Sequence, residues 1–378
     1  MWILRHTVGV FIELLLGYKC VREKGPYTPS IIIANHNTDL DPALITKSFT
    51  GHMYFLASEH AFRKGLFSKF LSFVFEPISF NKVKADTASL KELFNRVKAG
   101  HNVCLFAEGN RSHNGLTGNI PLSTAKLVKM SGAALITYRF EGGYFTTPRW
   151  AKKMRRGKMT GRVMGRYSAE ELKSMTAEQV YTVIKRDIHE DAYERQRENP
   201  VIYRGKDLAE NIETALYLCP GCEKIGTIRS RSDRFFCDCG LNARYTETGF
   251  LESAAEAKGA ALRFSTITEW DKWQLEQLTL MVNNAGEEPL CMDDNQKLFI
   301  VKSKAESTLV GEGPMHISRT EFHCAGMVFP LQQINQFAII DRTTLIFALK
   351  DGTQYELRSD VPRSALKYVE IFRILRNE

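Results

Sequence analysis

The stretch Ser30-Ile31-Ile32-Ile33-Ala34-Asn35-His36-Asn37-Thr38-Asp39-Leu40-Asp41-Pro42 decides the fold of the first part of this sequence. The apolar run at residues 30–34 predicts a buried strand, and the polar residues after it predict a loop. Pro42 then predicts the first turn of a helix, because proline is well tolerated at that position. A strand, a loop and a helix in this order are typical of an α/β unit.

The same alternation continues through the next hundred residues. Helical patterns cover residues 87–98 and the segment that ends at Gly132, and the strand-like apolar runs are residues 73–80, 103–106 and 133–140. Strands that alternate with helices predict an α/β fold with a mainly parallel sheet flanked by helices. Two capping boxes, Ser168 with Glu171 and Thr176 with Gln179, predict a long charged helix that ends this domain near residue 198.

The rest of the chain predicts two smaller domains. Residues 1–205 would form the α/β domain, 206–247 a cysteine-rich module, and 248–378 a C-terminal β-rich domain. Thr268 with Asp271 predicts the start of a helix, and Asp351-Gly352 predicts a hairpin turn. The last segment is an amphipathic helix, with apolar residues at Ala365, Tyr368, Val369 and Phe372. Several strands closed by such a helix resemble a pleckstrin-homology domain.

The composition fits a folded protein with an acidic partner. The chain has 378 residues, of which 44% are hydrophobic and 25% charged, and its formal net charge is +8. These values exclude wholesale disorder. The positive charge favours an anionic membrane surface, nucleic acid or a phosphorylated substrate, without choosing among them. No secretory signal is predicted, so we expect a cytosolic, reducing environment.

The first sixteen residues predict an apolar helix with a narrow non-apolar stripe. Arg5, Gly9 and Glu13 form the stripe, because residues four apart share one face of a helix. No stretch reaches the ~18 apolar residues that a spanning helix needs. Two interpretations stay open: a helix that lies on a membrane surface, or a helix packed on the protein's own core.

His36 and Asp41 are the candidate catalytic pair. A hydroxyl that attacks a thioester needs a base whose pKa lies near neutral pH, which imidazole supplies. A carboxylate on the other ring nitrogen would orient the imidazole and stabilise its charged form. Asp41 can supply that carboxylate, although it also fits the N-cap of the helix that begins at Pro42. Asp39 is a rival partner for His36.

Two motifs resemble those of the glycerolipid acyltransferases, the lysophosphatidate acyltransferase family. Asn35-His36 followed by Asp41 is similar to the family's Asn-His-(four residues)-Asp signature. The block Phe106-Ala107-Glu108-Gly109-Asn110-Arg111-Ser112 is similar to its Phe-Pro-Glu-Gly-Thr-Arg-Ser motif. Each motif follows a predicted strand, and the resemblance covers about residues 30–145.

The resemblance implies transfer of a fatty acyl group from acyl-CoA or acyl carrier protein to the hydroxyl of a lysophospholipid. The default acceptor is 1-acylglycerol-3-phosphate, and the enzyme would be peripheral or monotopic on the cytoplasmic face of a membrane. His36 would be the general base, oriented by Asp41. The acceptor would be bound by Asn35, Glu108, Gly109, Arg111 and Ser112, with the Arg111 fork on its phosphate.

The sequence departs from the family pattern at several positions. Ala107 stands in place of the usual proline and Asn110 in place of the usual threonine. A further family block presents an arginine after an apolar strand, where this chain has Ile78-Ser79-Phe80-Asn81-Lys82. Lys82 or Lys84 is the expected substitute, as a point charge rather than a fork. The family's last, proline-containing block is poorly matched at residues 135–138.

Four cysteines predict a structural zinc ribbon. Cys219 and Cys222 form one knuckle, Cys237 and Cys239 form the second, and 14 residues separate the two knuckles. Four thiolates in this spacing are typical of tetrahedral zinc. Two disulfides are the alternative, and four thiolates leave no open position for catalysis by the metal. The remaining four cysteines are predicted to be ordinary packed thiols: Cys20, Cys104, Cys291 and Cys324.

The segment 149–158 concentrates positive charge around Trp150. It suits anionic lipid headgroups or the acidic surface of a carrier protein, and a solvated basic face is the alternative. A zinc-ribbon protein that binds nucleic acid is a rival class, but it leaves the His36 and Glu108 motifs unexplained, so no nucleic-acid partner is expected. A thioesterase or lipase is the second rival, disfavoured because no Gly-x-Ser-x-Gly elbow is present.

Overall fold

The protein is described here from a computed structural model, which covers residues 10, 13–23, 29–58, 76–80, 87–254, 259–302 and 306–377. Within these residues, seven strands form the first sheet, in the order β1-β7-β6-β2-β5-β3-β4. Neighbouring strands are parallel except for β6 and β7. The predicted mainly parallel sheet is therefore confirmed. Its strands are β1 Tyr18–Cys20, β2 Ser30–Ala34, β3 Met53–Ser58, β4 Ile78–Phe80, β5 Asn102–Phe106, β6 Ala134–Glu141 and β7 Met159–Tyr167.

Helices cover both faces of this sheet. Ile31 and Ile33 of β2 pack in one apolar cluster, and Ile32 and Ala34 pack in another on the opposite face. All five residues of β2 are buried, because successive side chains of a strand point to opposite sides and both sides are covered. The helices are α1 Asp41–Ser48, α2 Thr87–Lys98, α3 Leu122–Ser131, α4 Gly143–Thr146, α5 Ala169–Ser174, α6 Ala177–Ile188 and α7 Ala192–Glu198.

The predicted long charged helix is three short helices, so that prediction was wrong in its continuity. Both capping boxes form as predicted, at Ser168 and at Thr176. The second box starts α6 afresh, and Met175 before it has an extended backbone that ends α5. The last of the three helices, α7, ends at Glu198, as predicted.

The cysteine-rich module is a four-stranded antiparallel sheet in the order β11-β10-β9-β8. The turn from β9 to β10 carries Cys237 and Cys239, and the turn before β8 carries Cys219 and Cys222. Antiparallel pairing therefore brings the two knuckles to one end of the sheet. The strands are β8 Ile228–Arg231, β9 Arg234–Cys237, β10 Asn242–Tyr245 and β11 Leu251–Ser253.

The next helix, α8 Ile267–Asn284, begins two residues earlier than the sequence pattern predicted. Its capping box is Thr266 with Glu269, not Thr268 with Asp271. Both pairs have the required spacing, so the pattern alone does not distinguish them. Tertiary contacts do, because the Thr268 hydroxyl donates to the Asn114 carbonyl at 2.7 Å instead of capping the helix.

We expect Thr266→Ala to lower the free energy of unfolding by about 1 kcal/mol, the usual cost of removing an N-cap hydroxyl. The Thr266 hydroxyl accepts from the Glu269 amide at 3.0 Å, and the substitution removes that acceptor. Urea unfolding of the full chain measures the change. The control is Thr279→Ala on the exposed face of α8, which should cost nothing because alanine is the better helix former. Equal stability of the two variants would contradict the assignment of the cap.

The C-terminal part is a seven-stranded antiparallel sheet in the order β15-β14-β13-β12-β18-β17-β16. The predicted hairpin is confirmed, since Ala348 pairs with Gln354 across a turn in which Gly352 has φ +90°. The helix α9 Leu366–Leu375 follows, and Tyr368, Val369 and Phe372 are buried in the core as predicted. The strands are β12 Cys291–Val301, β13 Ser307–Ile317, β14 Glu321–Cys324, β15 Met327–Pro330, β16 Ile334–Ile340, β17 Thr344–Leu349 and β18 Gln354–Ser359.

One apolar core joins the cysteine-rich sheet, α8 and the C-terminal sheet. It is continuous from Tyr193 and Trp270 to Phe347 and Phe372. The domain boundaries at residues 205 and 247 remain predictions. No helix in the described part of the chain is long and apolar enough to cross a bilayer.

Candidate active site

The carboxyl ends of β2 and β5 bring the two predicted motifs together. These strands are parallel neighbours, with Ala34 opposite Phe106, so the loops after them lie at one edge of the sheet. The Ser112 amide donates to the His36 carbonyl at 3.0 Å and joins the loops directly. The His36 ring stacks on Phe106, with the ring centroids 4.4 Å apart.

His36 and Asp41 are in hydrogen-bond contact. The His36 Nδ1 lies 2.9 Å from the Asp41 Oδ2, and the Asp41 side chain is fully buried. The same carboxylate accepts from the Asn37 amide at 2.7 Å, the Thr38 amide at 2.9 Å and the Thr38 hydroxyl at 2.6 Å. These donors hold the carboxylate in place without a cation. The imidazole is thereby fixed with Nε2 as the nitrogen that can accept a substrate proton.

The same geometry shows which of the two predicted contacts the Asp41 carboxylate makes. Leu40 is the N-cap of α1, and Asp41 is its first residue. The Asp41 carboxylate turns back onto the loop toward His36 rather than capping the helix. Asp39 is not the partner of His36, because its carboxylate lies 3.3 Å from the Arg111 Nε.

Glu108 connects the loop after β2 to the loop after β5. Its Oε1 accepts from the His36 amide at 2.7 Å and its Oε2 from the Gly118 amide at 2.6 Å. Burial raises the pKa of Glu108 to about 8, although the two backbone donors act in the opposite direction. The resemblance implies that Glu108 binds the acceptor, which stays a prediction. In the structure its two carboxylate oxygens hold the backbone of the loop that carries His36.

Arg111 contacts the loop that carries the candidate pair His36 and Asp41. Its side chain is 13% exposed, pairs with Asp39, and donates through Nη1 to the Thr147 carbonyl at 3.2 Å. The exposed Gly109 has φ +66°, a conformation that favours glycine, and a Cβ there would meet no atom within 4 Å. The turn after β5 is thus open to solvent at Gly109, next to a guanidinium that can bind an anion.

Two other predicted acceptor-binding residues have internal partners. The buried Asn35 side chain donates to the Phe140 carbonyl at 2.8 Å and accepts from the Phe140 amide at 2.7 Å. The Ser112 hydroxyl donates to the Leu116 carbonyl at 2.6 Å. Both side chains therefore hold the loops after β2 and β5 in place, and their contact with the acceptor stays a prediction. Lys82 and Lys84 lie outside the described residues.

Glu190 is a site residue that the sequence did not reveal. Its carboxylate is 4% exposed and accepts from the Asn37 side chain at 2.9 Å, the Gly142 amide at 2.8 Å and the Arg195 Nε at 3.2 Å. Asn37 follows His36 directly, so Glu190 supports the loop that carries His36 through the Asn37 side chain, whereas Asp41 binds the Asn37 backbone amide. More than 150 residues separate Glu190 from Asn37 along the chain, and no local motif marks that contact.

We expect Glu190→Gln to lower kcat by about tenfold or more while both KM values change little, because the His36 loop loses its support. A neutral amide cannot accept from all three donors and leaves Arg195 without its countercharge. The free energy of unfolding should fall by about 1–3 kcal/mol. Steady-state kinetics and urea unfolding measure the two effects. The control is the exposed Glu194→Gln, and an unchanged kcat in Glu190→Gln would contradict the role.

The four predicted metal ligands converge. The Sγ atoms of Cys219, Cys222, Cys237 and Cys239 all lie within 4.8 Å of one another, and the four thiols could hold a metal ion. The Cys219–Cys239 and Cys222–Cys237 pairs are 3.6 and 3.7 Å apart. A disulfide needs about 2.05 Å, whereas thiolates around one tetrahedral zinc lie roughly 3.8 Å apart. The spacing therefore fits a shared metal.

The basic segment is not a continuous cationic surface, so that prediction was wrong in part. Arg149, Trp150 and Arg155 are buried, and the Arg155 guanidinium lies over the Trp150 ring at 5.0 Å. The exposed Lys152 and Lys153 pair with acidic groups of the following segment. Burial and ion pairing thus neutralise or enclose much of this positive charge. The exposed basic surface available to a lipid or a carrier protein is therefore smaller than the sequence suggests.

Comparison with known proteins supports the resemblance over the first domain. The model of the family described as Acyltransferase matches residues 19–145. This range contains His36, Asp41, Glu108 and Arg111, whereas Glu190 and the four cysteines lie outside it. A comparison with curated proteins gives no match.

A solved structure is also similar to part of the chain. It is that of the 1-acyl-sn-glycerophosphate acyltransferase PlsC from Thermotoga maritima, with 21% sequence identity and a TM-score of 0.39. The alignment covers 48% of this chain and 74% of that chain.

Proposed function

We propose that this protein is an acyltransferase that moves a fatty acyl group from acyl-CoA or acyl carrier protein to the hydroxyl of a lysophospholipid. The observation that carries the proposal is the His36–Asp41 contact at 2.9 Å, beside Arg111 at the same edge of the sheet. The family match over residues 19–145 supports the class of reaction. The default acceptor is 1-acylglycerol-3-phosphate.

The proposed reaction needs one base and no covalent acyl-enzyme. The His36 Nε2 takes the proton of the acceptor hydroxyl while the oxygen attacks the thioester carbonyl. Asp41 stabilises the imidazolium that forms, because its carboxylate already faces Nδ1. The tetrahedral intermediate then breaks its carbon–sulfur bond, and the leaving thiolate takes the proton back from His36.

Arg111 is the proposed ligand of the acceptor's phosphate. A guanidinium fork can bind two phosphate oxygens at once. Its carboxylate partner Asp39 is 71% exposed, so a phosphate can compete for the fork without breaking a buried ion pair. The arrangement favours a phosphorylated acceptor over a neutral one.

We propose zinc as the metal of the cysteine module. Four thiolates and no oxygen ligand favour zinc, and the closed ligand set gives it a structural task. The residues that would hold it are Cys219, Cys222, Cys237 and Cys239. Bound zinc would add folding energy to a module of four short strands. We also propose that the C-terminal sheet and the helix α9 that follows it form a domain resembling a pleckstrin-homology domain.

The proposed location of the protein is the cytoplasmic face of a membrane. Leu14 and Leu15, near the end of the N-terminal segment, are 63% and 41% exposed, and the nearby Val21 is 66% exposed. Exposed apolar side chains favour contact with a bilayer, where the lipid acceptor also resides. Acyl carrier protein stays a proposed donor beside acyl-CoA.

A donor-by-acceptor panel tests the proposed function. Purified protein is incubated with acyl-CoA or acyl carrier donors and a set of lysophospholipids, and products are identified by mass spectrometry. We expect acylated product with 1-acylglycerol-3-phosphate and a lower kcat/KM by about 10- to 1000-fold with acceptors that lack the phosphate monoester, because Arg111 loses its ligand. No acylated product with any pair would contradict the proposal. Salt-sensitive binding to RNA or DNA without activity would favour the nucleic-acid class.

A further inference from the structure

The loop that carries Arg111 is held by a buried arginine from the next segment. Arg149 is 5% exposed, and its Nη1 donates to the Arg111 carbonyl at 3.4 Å. The Arg111 side chain in turn donates to the Thr147 carbonyl at 3.2 Å. The backbone and the side chain of Arg111 are therefore both fixed by residues 147–149, which lie outside its own loop.

The same guanidinium reaches the C-terminal sheet. The Arg149 Nη2 donates to the Ile339 carbonyl at 3.1 Å, and its Nε donates to the Asp341 carbonyl at 3.1 Å. Ile339 is near the end of β16 and Asp341 is in the turn to β17. One side chain thus bridges the Arg111 loop and a turn about 230 residues further along the chain.

A second contact holds the same loop from α8. The Asn114 side chain donates to the Asp271 carboxylate at 2.8 Å, and the Thr268 hydroxyl donates to the Asn114 carbonyl at 2.7 Å. Both groups belong to the C-terminal half of the chain. The loop after β5 is therefore anchored at Arg111 and at Asn114 by elements beyond the acyltransferase-matched residues.

The charge of Arg149 explains why this bridge depends on the C-terminal sheet. Burial lowers the pKa of Arg149, and the neighbouring Arg111 lowers it further, whereas Asp39 and Asp341 raise it. A buried cation needs hydrogen-bond acceptors in place of water. Two of the three carbonyls that accept from Arg149 come from the turn at residues 339–341. Without that turn the guanidinium would lose most of its acceptors and release the Arg111 carbonyl.

We propose that Arg149 is a positioning residue through which the C-terminal sheet holds the Arg111 loop in the conformation that binds the acceptor's phosphate. This inference rests on the proposed function for the identity of the acceptor. It makes the C-terminal sheet part of the catalytic unit, acting on acceptor binding and not on the His36 chemistry.

Hydrogen exchange on the full chain tests the bridge without reference to activity. In Arg149→Met we expect amides in residues 109–117 to exchange about tenfold faster or more, while β2 and β5 keep their protection. The control is Arg342→Met, which removes a hydrogen bond of the same turn to the Ala151 carbonyl and leaves the three hydrogen bonds of Arg149 in place. We expect exchange in the Arg111 loop to stay as in the wild type. If Arg149→Met does not fold, Arg149→Lys is used, because it keeps the charge but cannot bridge three carbonyls.

Kinetics test the consequence for the acceptor. We expect the KM of Arg149→Met for 1-acylglycerol-3-phosphate to rise about 10- to 100-fold, with kcat and the acyl-CoA KM nearly unchanged, because the fork is misplaced and the base is not. Arg342→Met should keep wild-type constants. A KM shift that is equal for donor and acceptor would overturn the inference, as would unchanged exchange in residues 109–117. If the wild type transfers no acyl group, the proposed function fails, and the exchange result still decides the bridge.

Discussion

We expect His36→Ala to abolish acyl transfer, with kcat lower by at least about 1000-fold, because the acceptor hydroxyl loses the base that takes its proton. The fold should be intact, since the ring is partly exposed and its main packing partner is one face of Phe106. Unfolding by urea and the far-UV circular dichroism spectrum should match those of the wild type. Activity is measured with the best donor and acceptor of the panel.

A matched control for this substitution is His101→Ala. That imidazole lies at the amino end of β5, the edge opposite the site, where its ring contacts Tyr54. It should keep wild-type turnover. The turnover of Asp41→Asn should lie between the values of His36→Ala and His101→Ala. The imidazole keeps a hydrogen-bond partner in this variant but loses the charge that stabilises its protonated form. Wild-type turnover in a folded His36→Ala variant would contradict the mechanism.

Removal of the metal should have the second large effect, on folding. Structural zinc in small modules contributes about 10–16 kcal/mol of apparent binding energy, which is comparable to the ~5–15 kcal/mol that stabilises a whole domain. The metal site is part of the common core, because the Trp270 Nε1 donates to the Leu218 carbonyl at 2.9 Å and Leu218 precedes Cys219. Loss of metal should therefore loosen α8 and the C-terminal sheet along with the cysteine module.

The measurement is metal analysis of the native protein followed by thermal unfolding. We expect about one zinc per chain, as one four-thiolate site requires. Cys219→Ser and Cys222→Ser should lose the metal and unfold at much lower temperature. Cys20→Ser is the control, since this half-buried thiol lies on β1, away from the cluster. A native protein free of tightly bound metal, with a melting temperature that a chelator does not change, would contradict the proposal.

The sequence predicted the α/β domain well because its signals are local. The apolar run at residues 30–34 and the helix at 87–98 need only a reading of adjacent residues, and both are confirmed. The N-cap of α8, predicted at Thr268 and found at Thr266, shows the limit of such local signals. Two overlapping Thr-x-x-acid patterns compete there, and the contact of Thr268 with Asn114, 154 positions away, selects between them.

The candidate site was predictable where its residues are neighbours in sequence. His36 and Asp41 are five positions apart, so a single loop brings them together. Glu190 and Arg149 act on the same loops from distant segments, and only the tertiary fold reveals them. The prediction of an exposed basic segment was wrong in part for a related reason. Composition does not tell whether Arg149 and Arg155 face water or the core.

The proposed function requires that the acyl group passes to a lipid hydroxyl and not to water. The most direct measurement follows a labelled acyl group from acyl-CoA in the presence of 1-acylglycerol-3-phosphate, for the wild type and for His36→Ala. We expect the label in diacylated phospholipid, one free coenzyme A for each acyl group transferred, and no label moved by His36→Ala. Release of the label as free fatty acid at the same rate with and without the acceptor would contradict acyl transfer and identify a thioester hydrolase.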